Sequence, residues 1–131
     1  LINRIYDAFK QSEIDEEIIA PKKTKTISGV ASFYSKNLEG TKTATGETFH
    51  HTYFTAASNN FPLNTWLRVT NIKNCKSVIV RVNDRMHPRM AKKGRVVDLT
   101  ISAAKKIGLT SKIGITKVTV EEVEKGTDDE D

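Results

Sequence analysis

Two runs in the middle of the chain, Trp66-Leu67-Arg68-Val69-Thr70 and Val78-Ile79-Val80-Arg81-Val82, alternate apolar residues with others. A period of two is what a strand with one buried face requires, because successive side chains leave a sheet on opposite sides. The runs flank Lys73-Asn74-Cys75-Lys76, a spacing that predicts a hairpin. Similar short stretches of β-branched and aromatic residues, punctuated by turn residues, begin at Ile27. They predict six strands: Ile27–Tyr34, Tyr53–Ala57, Trp66–Ile72, Ser77–Val82, Arg95–Leu99 and Thr116–Val123. One helix stands apart, with Thr100 as cap for Ile101–Ile107 and Gly108 as its left-handed stop. Six short strands with one or two short helices predict a mainly β fold closed into a small barrel, not an open α/β sheet.

The 131 residues fit one domain able to bury a core of its own. Cys75 is the sole cysteine, which excludes an internal disulfide and a thiol metal cluster. No apolar run reaches the ~18 residues of a membrane helix. The first residue is not methionine, so a removed signal peptide or lipid-anchor segment stays open. Residues 1–26 read as an arm or linker, helical in part, with Ile2, Ile5, Tyr6 and Phe9 at helical spacing before Pro21 and its lysines. The domain is expected over 27–124, followed by an acidic disordered tail at 125–131.

The overall charge of +5 conceals an asymmetry. From Ile27 to Val120 there are fifteen lysines and arginines against only Glu39, Glu47, Asp84 and Asp98, a net of +11. Such a field draws polyanions without choosing among nucleic acid, wall polymer and membrane surface.

Acids are therefore scarce enough to weigh singly. Asp84 ends an apolar strand in Val80-Arg81-Val82-Asn83-Asp84-Arg85, where it can cap a turn, pair with Arg81 or Arg85, or serve as a fixed functional carboxyl. Glu47 follows Gly46 in Thr43-Ala44-Thr45-Gly46-Glu47-Thr48-Phe49, a loop signature that equally suits solvated surface. Asp98 precedes the helix and reads as structural, an acceptor for backbone N–H groups or an arginine. His50 and His51 are adjacent and, in a strand, would point apart, a poor metal arrangement; His87 lies in a basic loop. Phe33, Tyr34, Tyr53 and Trp66 suit sugar stacking and core packing alike. There is no phosphate-binding glycine loop, no Cys/His metal spacing and no motif for a serine or cysteine nucleophile, so neither metal nor cofactor is expected.

These segments, with Gly29-Val30-Ala31-Ser32-Phe33-Tyr34, Thr55-Ala56-Ala57, Pro62-Leu63-Asn64-Thr65, Arg68-Val69-Thr70-Asn71 and Gly94-Arg95-Val96-Val97-Asp98-Leu99-Thr100, occur in the order found in the rare-lipoprotein-A (RlpA-like) family. The chain resembles that family from Gly29 to about Val123. The resemblance implies a six-stranded double-psi β-barrel, related in fold to barwin, expansins and some cellulases. It also implies lytic transglycosylase action on peptidoglycan, cleaving between N-acetylmuramic acid and N-acetylglucosamine and leaving 1,6-anhydro ends. Asp84 and Glu47 fall on the family's active-site acids; Asp84 is expected to move the proton and Glu47 to support it. Tyr34, Thr43, Asn83, Arg85, His87 and Arg95 are the implied glycan contacts.

The resemblance further implies peptidoglycan glycan strands as partner, no nucleic acid, a monomer, and a place in the cell envelope, periplasm or outside the cell, with a lipid anchor upstream. Departures bear on activity. Met86-His87-Pro88 replaces the usual Gly-Pro, Ser58 replaces a usual histidine, Asn64 replaces a glycine, and Phe33-Tyr34-Ser35 replaces Trp-Tyr-Gly. A non-catalytic, expansin-like glycan-binding module is the alternative, and an anionic-polymer binder rests on the basic stretch Arg85 to Arg95 alone.

Overall fold

The computed structural model describes residues 25–128, so the expectations for the arm before Lys25 and for the last three residues of the tail lie outside the described residues. Six strands form: β1 (Thr26–Phe33), β2 (Thr55–Ala57), β3 (Trp66–Asn71), β4 (Ser77–Asp84), β5 (Arg95–Leu99) and β6 (Thr116–Val123). They close into a barrel in the order β1-β5-β2-β4-β3-β6. The expected hairpin is present, with β3 antiparallel to β4 and Leu67 opposite Val80. The pairs β1–β5 and β2–β4 are parallel, and the remaining pairs are antiparallel. Exchanging β1 with β4, β2 with β5 and β3 with β6 reproduces every pairing. This double-psi β-barrel is thus two-fold in topology, although the sequence carries no visible repeat.

Alternation decides which way each strand faces. Leu67 and Val69, Val78, Val80 and Val82, Val97 and Leu99, Val118 and Val120 are buried and fill the barrel with Ala31 and Ala56. At roughly 25 cal/mol per Å² of apolar surface removed from water, this shared core dominates stability.

Among the described residues two α-helices flank the barrel, α1 (Pro88–Lys92) and α2 (Ile101–Lys106). Thr100 caps α2 by accepting from Ala103 N–H, and Gly108 takes φ +77 beyond its end. The amides of Asn71 and Asn74 both donate to the Ile107 carbonyl, tying the helix end to the β3–β4 turn. No described helix is long and apolar enough to cross a membrane.

Helix α1 has no counterpart in the strand-and-loop reading. His87 accepts from Arg89 N–H as its cap, and Pro88 sits at the first helical position, where its missing N–H costs nothing. The Met86-His87-Pro88 departure thus starts a short helix.

Backbone crowding fixes Gly29. A Cβ there would lie 2.4 Å from Val96 Cγ1 and 2.9 Å from the Gly94 carbonyl oxygen. Gly29→Ala should lower unfolding stability by about 1–3 kcal/mol, the usual range for overpacking, as measured by urea denaturation.

Candidate active site

The loop between the Lys36–Leu38 3-10 turn and β2 folds back on itself as a miniature hairpin. Lys42 bridges Thr48, Thr43 N–H donates to the Glu47 carbonyl, and Gly46 N–H donates to the Thr43 carbonyl. Gly46 has φ +87, a backbone state that costs other residues a steric penalty, which is why Gly46 precedes Glu47. Phe49 anchors the loop below; it is 1% exposed and packs against Tyr34 at 4.3 Å between ring centroids.

The loop then docks on the end of β4 through contacts made in both directions. Ala44 N–H donates to Asp84 Oδ1 at 3.0 Å, and Thr45 N–H donates to the Asn83 carbonyl at 3.2 Å. In return Arg81 of β4 grips Glu47 of the loop with two bonds, Nη1 to Oε1 at 3.0 Å and Nη2 to Oε2 at 2.6 Å. Asp84 and Glu47, 37 positions apart in the chain, both work in the seam between one loop and one strand.

The two carboxylates are held differently. Thr45 Oγ1 adds a 2.5 Å bond to Glu47 Oε1. The Arg81 bonds first, then Thr45, the Arg81 charge and the Asn83 amide, pull the Glu47 pKa from an ordinary 4.5 to about 2 against the opposing effect of partial burial. The Arg81 pKa rises correspondingly, chiefly through its bonds to Glu47. Glu47 is therefore an ionised group at neutral pH and well into the acid range. Folding lowers its pKa, so the stability it contributes is complete above 4.5 and disappears as the pH falls towards about 2. Melting points of Glu47→Gln and the parent chain should differ at about pH 6 and converge in strong acid.

Asp84 Oδ1 accepts from two backbone N–H groups, Ala44 at 3.0 Å and Arg85 at 2.9 Å. Among the described residues Asp84 Oδ2 accepts only from the Tyr34 hydroxyl, at 2.9 Å, which leaves it lone-pair capacity to handle a proton. The Tyr34 pKa is pushed far above its usual range by burial, then by the charge and hydrogen bond of Asp84 and the charge of Asp98. Tyr34 thus remains a donor.

Strand register explains how Asp98 reaches this neighbourhood. Ala57 of β2 pairs with Asp84 on one side and Asp98 on the other, and Asp98 pairs with Ser32. With strands about 4.8 Å apart, these side chains form one row on the outer face of the barrel. Asp98 Oδ1 accepts from Ser32 Oγ at 2.7 Å and from Arg95 Nη1 at 2.9 Å.

Other expected contacts lie elsewhere. Thr43 Oγ1 meets Thr45 Oγ1 at 3.0 Å, inside the loop. Asn83 is buried at the bulge between β2 and β4, and its Oδ1 has no partner among the described residues. The Arg85 guanidinium turns to the carbonyls of Ser58 and Phe61, and Arg95 also reaches Ser32. His87 caps α1 and makes no hydrogen bond to either acid among the described residues. Ser58 is fully buried and donates to the Val96 carbonyl, so no titratable group replaces the family's histidine. Asn64 adopts φ +72, keeping the turn that glycine would make. His50 and His51 bind Glu39, His51 through its backbone N–H, and no metal-holding cluster occurs among the described residues.

Reading the sequence alone missed Arg81 as the partner of Glu47 and Asn64 as the second acceptor for the same guanidinium at 3.0 Å. The available signal was alternation, which turns Arg81 outward between buried Val80 and Val82.

The sequence profile of the lytic transglycolase family matches residues 26–120. The chain belongs to that family. Among its relatives, the endolytic peptidoglycan transglycosylase RlpA of Pasteurella multocida is 46% identical over 93 residues, covering 71% of this chain and 30% of that protein. The protein of the same name from Pseudomonas aeruginosa PAO1 is 46% identical over 96 residues, covering 73% of this chain and 27% of its own length. The chain thus spans about a third or less of these curated relatives. Among solved structures, an apo expansin from Clavibacter michiganensis matches with a TM-score of 0.60 at 22% identity, over 79% of this chain and 53% of that one. A Streptomyces papain inhibitor also reaches 0.60, at 19% identity over 76% and 96%. At such identities the structural matches speak for the fold.

Proposed function

We propose that this domain is a lytic transglycosylase acting on peptidoglycan in the cell envelope. On this reading it works as a monomer, held near the wall by a lipid anchor carried outside it. The observation that carries the reading is the convergence of the two family acids on one seam, one locked as an anion and the other with an oxygen available for proton transfer. The names of the relatives support the substrate class.

In the proposed reaction Asp84 Oδ2 gives its proton to the oxygen linking N-acetylmuramic acid C1 to N-acetylglucosamine. The C1–O bond breaks, and the N-acetylglucosamine end leaves as an alcohol. Tyr34 donates to the carboxylate that results, so its bond strengthens as charge develops. The fixed anion of Glu47 offsets positive charge at C1 and the ring oxygen. Asp84 then removes the proton of the muramyl C6 hydroxyl, whose oxygen bonds to C1. One acid/base residue suffices because no water is consumed.

A non-catalytic glycan-binding module is favoured instead by one observation: Ser58 is buried and hydrogen-bonded, at the position where the family resemblance leads one to expect a histidine. One experiment separates the readings. Peptide-free wall glycan is incubated with the parent chain and Asp84→Asn, and the fragments are weighed by mass spectrometry. Anhydro-ended products from the parent alone support catalysis. Co-sedimentation of both proteins with sacculi, without such products, replaces it with the binding module.

A further inference from the structure

A cavity of about 470 Å³ opens between the start of β3 and the end of β6. Its volume lies within the ~300–1,000 Å³ common for small-molecule sites. Asn64, Trp66, Glu122, Glu124 and Lys125 are among the residues that line it. It adjoins the seam through a single guanidinium: Arg81 Nη1 donates both to Glu47 Oε1 and to Asn64 Oδ1, each at 3.0 Å. Trp66 is also the direct cross-strand partner of Arg81 in β4 and of Val123 in β6, so the three side chains leave the same face of the sheet.

Resting on the function proposed above, we infer that this cavity is a glycan subsite for one N-acetylglucosamine ring next to the cleavage position. The indole of Trp66 supplies a flat apolar surface for the C–H face of a sugar. Its N–H is buried with no acceptor among the described residues, so a ligand that repositions the ring can relieve an existing cost. Asn64, Glu122 and Glu124 offer carbonyl and carboxylate oxygens to sugar hydroxyls. Those carboxylates also choose the ring. N-acetylmuramic acid carries a lactyl carboxylate that would face two glutamates against the single Lys125, whereas N-acetylglucosamine is neutral. This acidic lining contrasts with the basic remainder of the barrel, where charge alone would favour the muramyl unit. Alternating strands place N-acetylglucosamine on both sides of every muramyl residue, so the subsite fixes which rings occupy the seam.

The chain contains one tryptophan, so its emission reports on this cavity alone. Full-length Asp84→Asn is titrated with a chitin hexasaccharide, with peptide-free wall glycan, and with free stem peptide. Saturable emission changes are expected with both glycans and none with the peptide. On a background carrying Asp84, Trp66→Phe and Glu122→Gln are expected to lower the ratio of kcat/KM for long glycans to that for a tetrasaccharide by about five- to tenfold. Unchanged emission while sacculi still sediment with the protein overturns the subsite and leaves the function standing. A response to stem peptide alone also overturns the subsite, in favour of a peptide ligand. Absence of any glycan association removes both.

Discussion

Asp84→Asn should reduce release of anhydro-ended fragments by about 10²–10⁴-fold, the usual worth of a positioned acid/base group. The substitution is nearly isosteric and keeps the geometry that places the residue. Asparagine Oδ1 can still accept from Ala44 and Arg85 N–H, and its amide can donate to the Tyr34 hydroxyl. What disappears is the ability to carry a proton on the second oxygen. The variant should therefore show an unchanged circular dichroism spectrum and bind sacculi as the parent does while failing to cleave them. Full cleavage by Asp84→Asn would move the proton to another group. Among the four acids between Ile27 and Val120, Glu47 is locked as an anion, Glu39 is held low by the His51 N–H and His50, and Asp98 is paired with Arg95.

How much of this could be read from the chain depends on the range of the interactions involved. Strands β5 and β6 match their expected limits, and the β3–β4 hairpin lies where expected, because alternation and a short connection are local properties. The parallel pairs β1–β5 and β2–β4 left no local trace, since such pairing depends on distant segments; the family resemblance implied the double-psi barrel but no individual pair. Strand β4 continues to Asp84, two residues beyond the end of its apolar run, because Ala57 pairs with Asp84 across a bulge. That extension places the acid on a rigid ladder. Glu47 looked like solvated surface because nothing beside it in sequence is cationic, and its arginine arrives from a strand 34 residues away. Asp84 was expected to find an arginine if it was structural, but the one that points outward nearby, Arg81, is occupied by Glu47 and Asn64. Helix α1 was missed because His87 is an uncommon cap, although Pro88 after it was an available start signal.

The second large effect concerns Glu47 and its arginine, and it separates charge from scaffolding. If Glu47 works through its anion, Glu47→Gln should lose about 10²-fold in kcat, within the range seen on removing one preorganised electrostatic group. Loss of the ion pair itself should cost little stability, about 0.5–1 kcal/mol, because both partners are partly exposed and solvent already screens them. Arg81→Gln makes the complementary change, removing the clamp and keeping the carboxylate. Without the guanidinium the Glu47 pKa should return from about 2 towards 4.5. Its charge would then be lost by protonation as the pH falls through the higher value, whereas in the parent chain it survives to the lower one. The acid limb of the Arg81→Gln rate profile should therefore move upward by as much as the clamp had depressed it, with activity near neutrality recovering most of the parent value. An Arg81→Gln enzyme equally impaired at every pH would mean that the guanidinium matters by fixing the loop in place, and that the charge of Glu47 is incidental to the chemistry.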